Sequence, residues 1–235
     1  MNLSLPIDVT FLPETMPILS WPRICVVPGD PGNEKTLYPC LLRDGETGRG
    51  VDLPQERQDE IKARAQEIGM TLEQALSLRR AKMKLREYRK GGGKKSVEEV
   101  GLGTEVGQRI YAEEFEEKVA ATLDRLGIAY TRPAKGPDFI LTEAFTINGH
   151  VAKWIEVKCF YACASLTSKT LGVGQIPDTA KRYKNEYGPG CIAFGRGFHQ
   201  AFEARMKNIV RSVMLLDASD EALQGISSSK GYSLV

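Results

Sequence analysis

Residues 136–158 read Gly-Pro-Asp-Phe-Ile-Leu-Thr-Glu-Ala-Phe-Thr-Ile-Asn-Gly-His-Val-Ala-Lys-Trp-Ile-Glu-Val-Lys, and this stretch decides the fold. Two β-like runs flank Asn148-Gly149, a dipeptide suited to a tight hairpin turn. Pro137 fits the start of a strand, where its missing N–H costs little, and Asp138 follows at the strand's mouth. The second run, His150–Cys159, contains Trp154-Ile155-Glu156-Val157-Lys158. Strand side chains alternate faces, so Glu156 and Lys158 share one face and Ile155 and Val157 the other. Burying a lone carboxylate or ammonium is costly. Glu156 and Lys158 are therefore either a structural ion pair or part of a binding site.

The turn sets the register. A two-residue turn pairs Ile147 with His150, which puts Asp138 opposite Cys159 on the wrong face. A three-residue turn pairs Thr146 with His150 and brings Asp138 to the face of Glu156 and Lys158. Shared chemistry therefore requires the odd-numbered loop, or a bulge elsewhere. That arrangement is the expectation.

Outward from the hairpin, residues 112–126 have helical spacing. Ala112, Phe115, Val119, Leu123 and Leu126 form a stripe about 80° wide. Of Glu113, Glu114, Glu116 and Glu117, only Glu116 borders that stripe and faces a packed sheet. Acidic residues also favour a first helical turn through the macrodipole, which explains the cluster without chemistry. Gly127 stops the helix. Cys191–Phe194 reads as another central strand and Ser212–Leu216 as an edge strand. Ser227–Ser229, between Gly225 and Gly231, reads as a loose tail.

Two carboxylates side by side make a hard oxygen site for Mg²⁺ or Mn²⁺. Such an ion polarises a phosphoryl oxygen and lowers the pKa of bound water. Lys158 is suited to orient the water and stabilise developing negative charge. Glu116 is suited to hold a metal-bound water or second ion. Asp138, Glu156, Lys158 and Glu116 are the candidate catalytic residues.

A helix with Phe115-Glu116, then Pro137-Asp138, then Glu156-Val157-Lys158 on the next strand, resembles the PD-(D/E)xK nucleases. The likeness implies a restriction-endonuclease-like α/β fold, a mixed central sheet flanked by helices. It implies Asp138 and Glu156 as metal ligands, the Val157 carbonyl completing the site, and Lys158 as the catalytic lysine. Pro137–Leu141, Asn148-Gly149-His150, Trp154–Lys158, Tyr187-Gly188-Pro189-Gly190 and Gly197-Phe198 resemble the codanin-interacting nuclease, or TPD-motif, family over residues 106–216. That likeness implies a codanin-like protein partner and a nuclear role. Two positions depart from the pattern. Gly136 stands where the family has threonine. For the Gln-x-x-x-Tyr of some nucleases, Tyr183 matches, while Thr179 stands at the glutamine position and Gln175 lies one turn earlier.

The N-terminal half has a different character. Residues 1–50 are rich in Pro and Gly and read as a small β appendage or an extended arm. Residues 51–95 form a helical N-terminal region with a Gly-rich linker at Gly91–Gly93, and the nuclease domain spans 103–235. Pro54 starts one helix. Thr71, with Gln74 three residues on, caps another that runs from Leu72 to Arg89. Ala65, Gly69, Ala75 and Leu78 match a helix-turn-helix layout. Arg79, Arg80, Lys82, Lys84, Arg86, Arg89 and Lys90 face only Glu87 in opposition, and Lys94 and Lys95 follow. This reads as a footprint for phosphate, or as a solvated face or an arm for an acidic partner. Lys169, Lys181, Arg182 and Lys184 are further candidates for phosphate, and Tyr183 either stacks on a base or packs.

Net charge is only +2, so overall charge points to no partner. No apolar run reaches membrane-spanning length and no secretory signal is legible, so the expectation is an intracellular protein, nuclear or cytoplasmic. The five cysteines contain no CxxC pair and read as reduced thiols. Taken together, the sequence points to a divalent-metal-dependent nuclease acting on nucleic acid, DNA before RNA. The alternatives are a catalytically inactive binding or scaffold protein of the same fold, and a phosphoesterase for small nucleotides.

Overall fold

The computed structural model describes residues 17–30, 32–43, 53–90, 105–166 and 172–230. In chain order the elements are β1 (Pro17–Ser20), β2 (Val26–Val27), α1 (Asn33–Thr36), α2 (Tyr38–Leu41), α3 (Gln55–Gln66), α4 (Leu72–Lys90), α5 (Glu105–Arg125), β3 (Tyr130–Thr131) and β4 (Phe139–Ile147). There follow β5 (His150–Lys158), α6 (Gly172–Tyr187), β6 (Gly190–Phe194), β7 (Phe198–His199), α7 (Gln200–Ile209), β8 (Val213–Asp217), α8 (Asp220–Gln224) and β9 (Ser227–Lys230). Gly91–Gly93, Lys94, Lys95, Lys169 and Gly231 lie outside the described residues.

A mixed sheet runs in the order β8-β6-β5-β4-β1-β9, with β3 also paired to β4. The pairs β4–β5, β3–β4 and β1–β9 are antiparallel, and β5–β6, β6–β8 and β1–β4 are parallel. As the sequence indicates, β6 is central, with every residue buried, and β8 is an edge. One face of the sheet packs on α5 through Phe115, Val119, Leu123, Phe139, Ile155 and Val157. The other face carries Trp154, Ile192 and Phe194 into a second core. That core also includes Ile61, Ala65, Ala75 and Leu78 of α3 and α4.

Two expectations are corrected. The N-terminal stretch read as an appendage or arm supplies β1, which pairs with β4 inside the sheet. Ser227–Ser229, read as a loose tail, form β9 against β1, with Ile18 paired to Ser229. Serine and lysine suit such an edge position, and backbone pairing requires no apolar pattern. Other readings hold. Thr71 N–H donates to Gln74 Oε1 at 2.9 Å and Gln74 N–H to Thr71 Oγ1 at 3.2 Å, a reciprocal cap that starts α4. Ala65 and Ala75 are fully buried, and Gly69 turns the chain at φ +73°.

Candidate active site

The β4–β5 hairpin builds the site by the second of the two routes expected, a bulge rather than a three-residue loop. The turn has two residues, with Ile147 paired to His150, Asn148 at φ +47° and Gly149 at φ +81°. The three-residue loop is therefore not formed, because Asn-Gly takes the left-handed conformation at both positions. The parity it would have supplied comes from a large bulge. Phe145 pairs with Ala152, but Ile140 pairs with Trp154, so residues 141–144 face only Lys153. The offset is odd and reverses the face β5 presents beyond it. Ala152 lies in the α5 core, while Trp154 lies in the opposite one. Continuing the register from Phe139–Ile155 places Asp138 opposite Glu156. The bulge falls where β4 exchanges neighbours, from β1 at Thr146–Ile147 to β3 at Ile140–Leu141.

Asp138, Glu156 and Lys158 are in one hydrogen-bonded group. Val157 N–H donates to Asp138 Oδ2 at 2.6 Å, and Asp138 N–H donates to Glu156 Oε2 at 3.3 Å. Lys158 Nζ donates to Glu156 Oε1 at 2.5 Å. The N–H and C=O of one residue leave an extended strand at the same edge, so the Val157 carbonyl projects towards the same opening. Glu156 is 5% exposed. Burial pushes its carboxyl up to about 7; Lys158 opposes the rise and Asp138 adds to it. Burial acts to lower the Lys158 pKa, but the charge and hydrogen bond of Glu156 together with the charge of Asp138 outweigh it, so lysine remains the ammonium.

Glu116 borders the site from α5. It is half-buried while Glu113, Glu114 and Glu117 are exposed, in line with its place beside the apolar stripe. Burial raises its pKa, Asp138 raises it further, and Arg132 opposes both. Arg132 Nη2 lies 3.3 Å from Glu116 Oε2, and the same guanidinium bonds Glu117. Arg132 escaped the sequence reading because nothing in its local pattern marks it; only the packing of α5 beside β3 brings it to Glu116.

The donor set suits a hard divalent cation. Asp138 and Glu156 could hold it, with the Val157 carbonyl alongside and water filling the other positions. Burial is the main cause of the raised Glu156 pKa, with the neighbouring Asp138 carboxylate adding to it. Among the described residues, no three His, Cys, Asp or Glu side chains are grouped to hold a metal. Backbone and water oxygens would therefore be needed to complete coordination.

Tyr183 is 5% exposed and donates to the Gly136 carbonyl at 2.5 Å. It meets Trp154 edge-on at 5.5 Å. It therefore packs, and it fixes the turn leading into Asp138. Gly136 sits at φ +126°, and a Cβ there would lie 2.8 Å from the Tyr187 hydroxyl. A threonine at this position would be strained and crowded, so the departure from the family pattern matches this backbone. The glycines of the Tyr187–Gly190 stretch are also structural. Trp154 Nε1 donates to Gly188 O at 3.0 Å, and a Cβ on Gly190 would enter the Trp154 ring at 2.2 Å.

The cations of α4 divide. Arg79 is fully buried and its guanidinium donates to the Leu41 carbonyl, so the phosphate contact read from the sequence is corrected for this residue. Lys82 Nζ lies over the Tyr38 ring at 3.6 Å. Arg80 and Arg86 are exposed and Lys84 is half-buried; on α6, Lys181, Arg182 and Lys184 are exposed. A second buried carboxylate, Glu34, was also missed. It accepts from Tyr161 Oη at 2.8 Å, Ala164 N–H at 3.2 Å and Ser165 N–H at 2.8 Å, pinning the chain after β5.

A family model described as "Protein of unknown function TPD sequence-motif" matches residues 96–218. The chain is 28% identical over 119 residues to "CDAN1-interacting nuclease 1" of Xenopus tropicalis, covering 51% of this chain and 37% of that protein. It is 30% identical over 83 residues to the protein of the same name in Gallus gallus, covering 35% of this chain and 28% of the relative. The match thus spans only 28–37% of the length of these relatives. No solved structure matches. Among the described residues no helix is long and apolar enough to cross a membrane.

Proposed function

The chain belongs to the TPD-motif family, and we propose that it is a divalent-metal-dependent nuclease hydrolysing phosphodiester bonds in nucleic acid, with DNA as its substrate. The observation that carries this reading is the bulge in the β4–β5 hairpin. It sets Asp138 opposite Glu156 with Lys158 at 2.5 Å, although the turn alone would send Asp138 to the other face. A fold that needed only a Glu156–Lys158 ion pair would not need Asp138 beside it. The relatives' printed names, which call them nucleases, support the same chemistry.

Asp138, Glu156 and the Val157 carbonyl would hold Mg²⁺ or Mn²⁺. When bound, such an ion polarises a phosphoryl oxygen and makes a hydroxide-like nucleophile accessible near neutral pH. The chain's own groups do the rest. Lys158 directs its ammonium at the attacking water and at the non-bridging oxygens as their charge grows. Tyr183 keeps Gly136 and hence Asp138 in register. Glu116, steadied by Arg132, takes a water on the α5 side. Arg80, Lys84, Arg86, Lys181 and Arg182 are proposed phosphate contacts. A codanin-like partner is proposed from the relatives' printed names, and residence in the nucleus or cytoplasm is a further proposal.

The test is cleavage of labelled single-stranded, duplex and branched DNA and RNA by the purified chain with Mg²⁺ or Mn²⁺. Cutting should stop in EDTA. Asp138→Ala and Lys158→Ala should each lose on the order of a hundred- to a thousandfold in rate while remaining folded. Binding without cutting in both metals would overturn the nuclease reading in favour of a scaffold.

A further inference from the structure

α4 lies across the C-terminal ends of β5 and β6, and three contacts fix which face it turns there. Glu73 Oε2 accepts from Arg196 Nη1 at 3.0 Å, Gln74 Nε2 donates to the Arg196 carbonyl at 2.9 Å, and Ser77 Oγ accepts from Tyr161 N–H at 3.1 Å. Arg80 and Lys84 stand three and seven residues beyond Ser77, so they continue the same face. Arg196 is the second residue after β6, and the intervening Gly195 N–H donates to Lys158 O at 2.8 Å. This bond ties the segment carrying Arg196 to the backbone of the proposed catalytic lysine.

Tyr111 approaches the same place from α5. It is 45% exposed, one of few large hydrophobic side chains so exposed among the described residues. Arg196 Nη2 donates to its hydroxyl at 3.0 Å. Phe115, one turn further on, packs against Gly195, where a Cβ would lie 2.5 Å from its ring. The ring is held by its oxygen and by the Arg196 guanidinium 5.6 Å from its centroid, yet stays largely exposed, which is not how an aromatic serving a core is placed.

We infer that Arg80, Lys84 and Tyr111, with Arg196 positioning the tyrosine, form a subsite for an unpaired nucleic-acid strand leading to Asp138, Glu156 and Lys158. The cations take backbone phosphates and a base lies on the Tyr111 ring. Aromatic rings interleaved with cations suit unstacked bases, whereas a duplex keeps its base faces covered. The inference deepens the nuclease reading and rests on it for the strand's destination. Arg196 beside Arg80, and Arg80 beside Lys84, put like charges together on this face, a repulsion that a phosphate would relieve.

The experiment measures binding in EDTA, without turnover, by anisotropy of a short fluorescein-labelled oligothymidylate and a blunt duplex of equal length. Arg80→Gln/Lys84→Gln should weaken oligothymidylate binding about tenfold and flatten the slope of log K against log salt by about 1 to 1.5. Arg80→Lys/Lys84→Arg should restore both. Tyr111→Ala should weaken oligothymidylate binding roughly tenfold and change duplex binding less than about twofold. Unchanged affinity and slope in the neutralised variant would overturn the subsite. Equal losses on duplex and single strand would overturn its single-strand character. Asp138→Ala separates the two readings: it should bind normally here and fail to cleave. If it still cleaves, the placement of the active site at Asp138 fails whatever the anisotropy shows.

Discussion

The end of β5 and the length of α4 both carry clustered charge, and they treat it in opposite ways. At the end of β5 the charges are tied to one another: Lys158 holds Glu156 Oε1, the Asp138 N–H holds Glu156 Oε2, and the Val157 N–H holds Asp138. On α4 the cations are dealt to different tasks. Arg79 is buried on Leu41 O, Lys82 covers Tyr38, and Arg80 faces the strand ends. A strand offers two faces, so burying one assigns every residue. A helix bearing cations on all sides has no such constraint, and each charge goes where its neighbours put it. Charge counted along a helix therefore measures a surface poorly.

The largest expected effect outside catalysis lies within α4. Arg79→Ala removes a buried side chain and strips a partner from the Leu41 carbonyl, so it should cost about 3 kcal/mol in urea unfolding. Arg86→Ala, on the exposed side, should stay within about 0.5 kcal/mol. Equal effects would erase the contrast between the two cations.

The next test is at the turn before Asp138. Gly136→Ala forces a side chain into a left-handed backbone and against the Tyr187 hydroxyl, and should cost about 1–3 kcal/mol. Adding Tyr187→Phe should recover only part of this, because the backbone strain persists. Complete recovery would show that the crowding, not the φ angle, requires glycine.

The pH dependence sharpens the β5 side. Glu156 titrates at about 7 in the folded chain and near the ordinary carboxylate value when unfolded. Between those values the native state holds the extra proton, so metal-free stability should fall as pH rises from about 4.5 to 7. Thermal unfolding of Glu156→Gln should show a flatter profile across that window, and Mn²⁺ should raise the melting temperature more at pH 8 than at pH 5. A wild-type profile unaffected by the substitution would mean that Glu156 is not the group burdened by burial.

The smallest effect is Tyr183→Phe. It frees the Gly136 carbonyl for about 1 kcal/mol, and its larger consequence should be slower cleavage rather than unfolding. A loss in stability with unchanged cleavage would reduce Tyr183 to packing alone.

Much of the candidate site was legible. The alternation in Trp154–Lys158 placed Glu156 and Lys158 together, and the width of the apolar stripe singled out Glu116 from its neighbours. Arg132, Glu34 and Tyr111 were not legible as partners of this region. Each reaches it over a long chain separation, and none sits in a local pattern that records the contact. The tail at Ser227–Ser229 was misread for a related reason: β9 is held by backbone bonds to β1, which side chains do not advertise.

By itself the sequence determined that two strands meet at Asn148-Gly149, that one of them carries Glu156 and Lys158 on a common face, and that α4 is capped and basic. Local chemistry suffices for these, since turn preference, strand alternation and capping act within a few residues. Only the tertiary structure decided that Asp138 joins them. The Asn-Gly turn alone sets the wrong parity, and the correction comes at residues 141–144, where β4 changes partners from β1 to β3. The same packing sends Arg79 inward and leaves Arg80 outward, because what surrounds a helix, not its own sequence, settles which of its charges meet solvent.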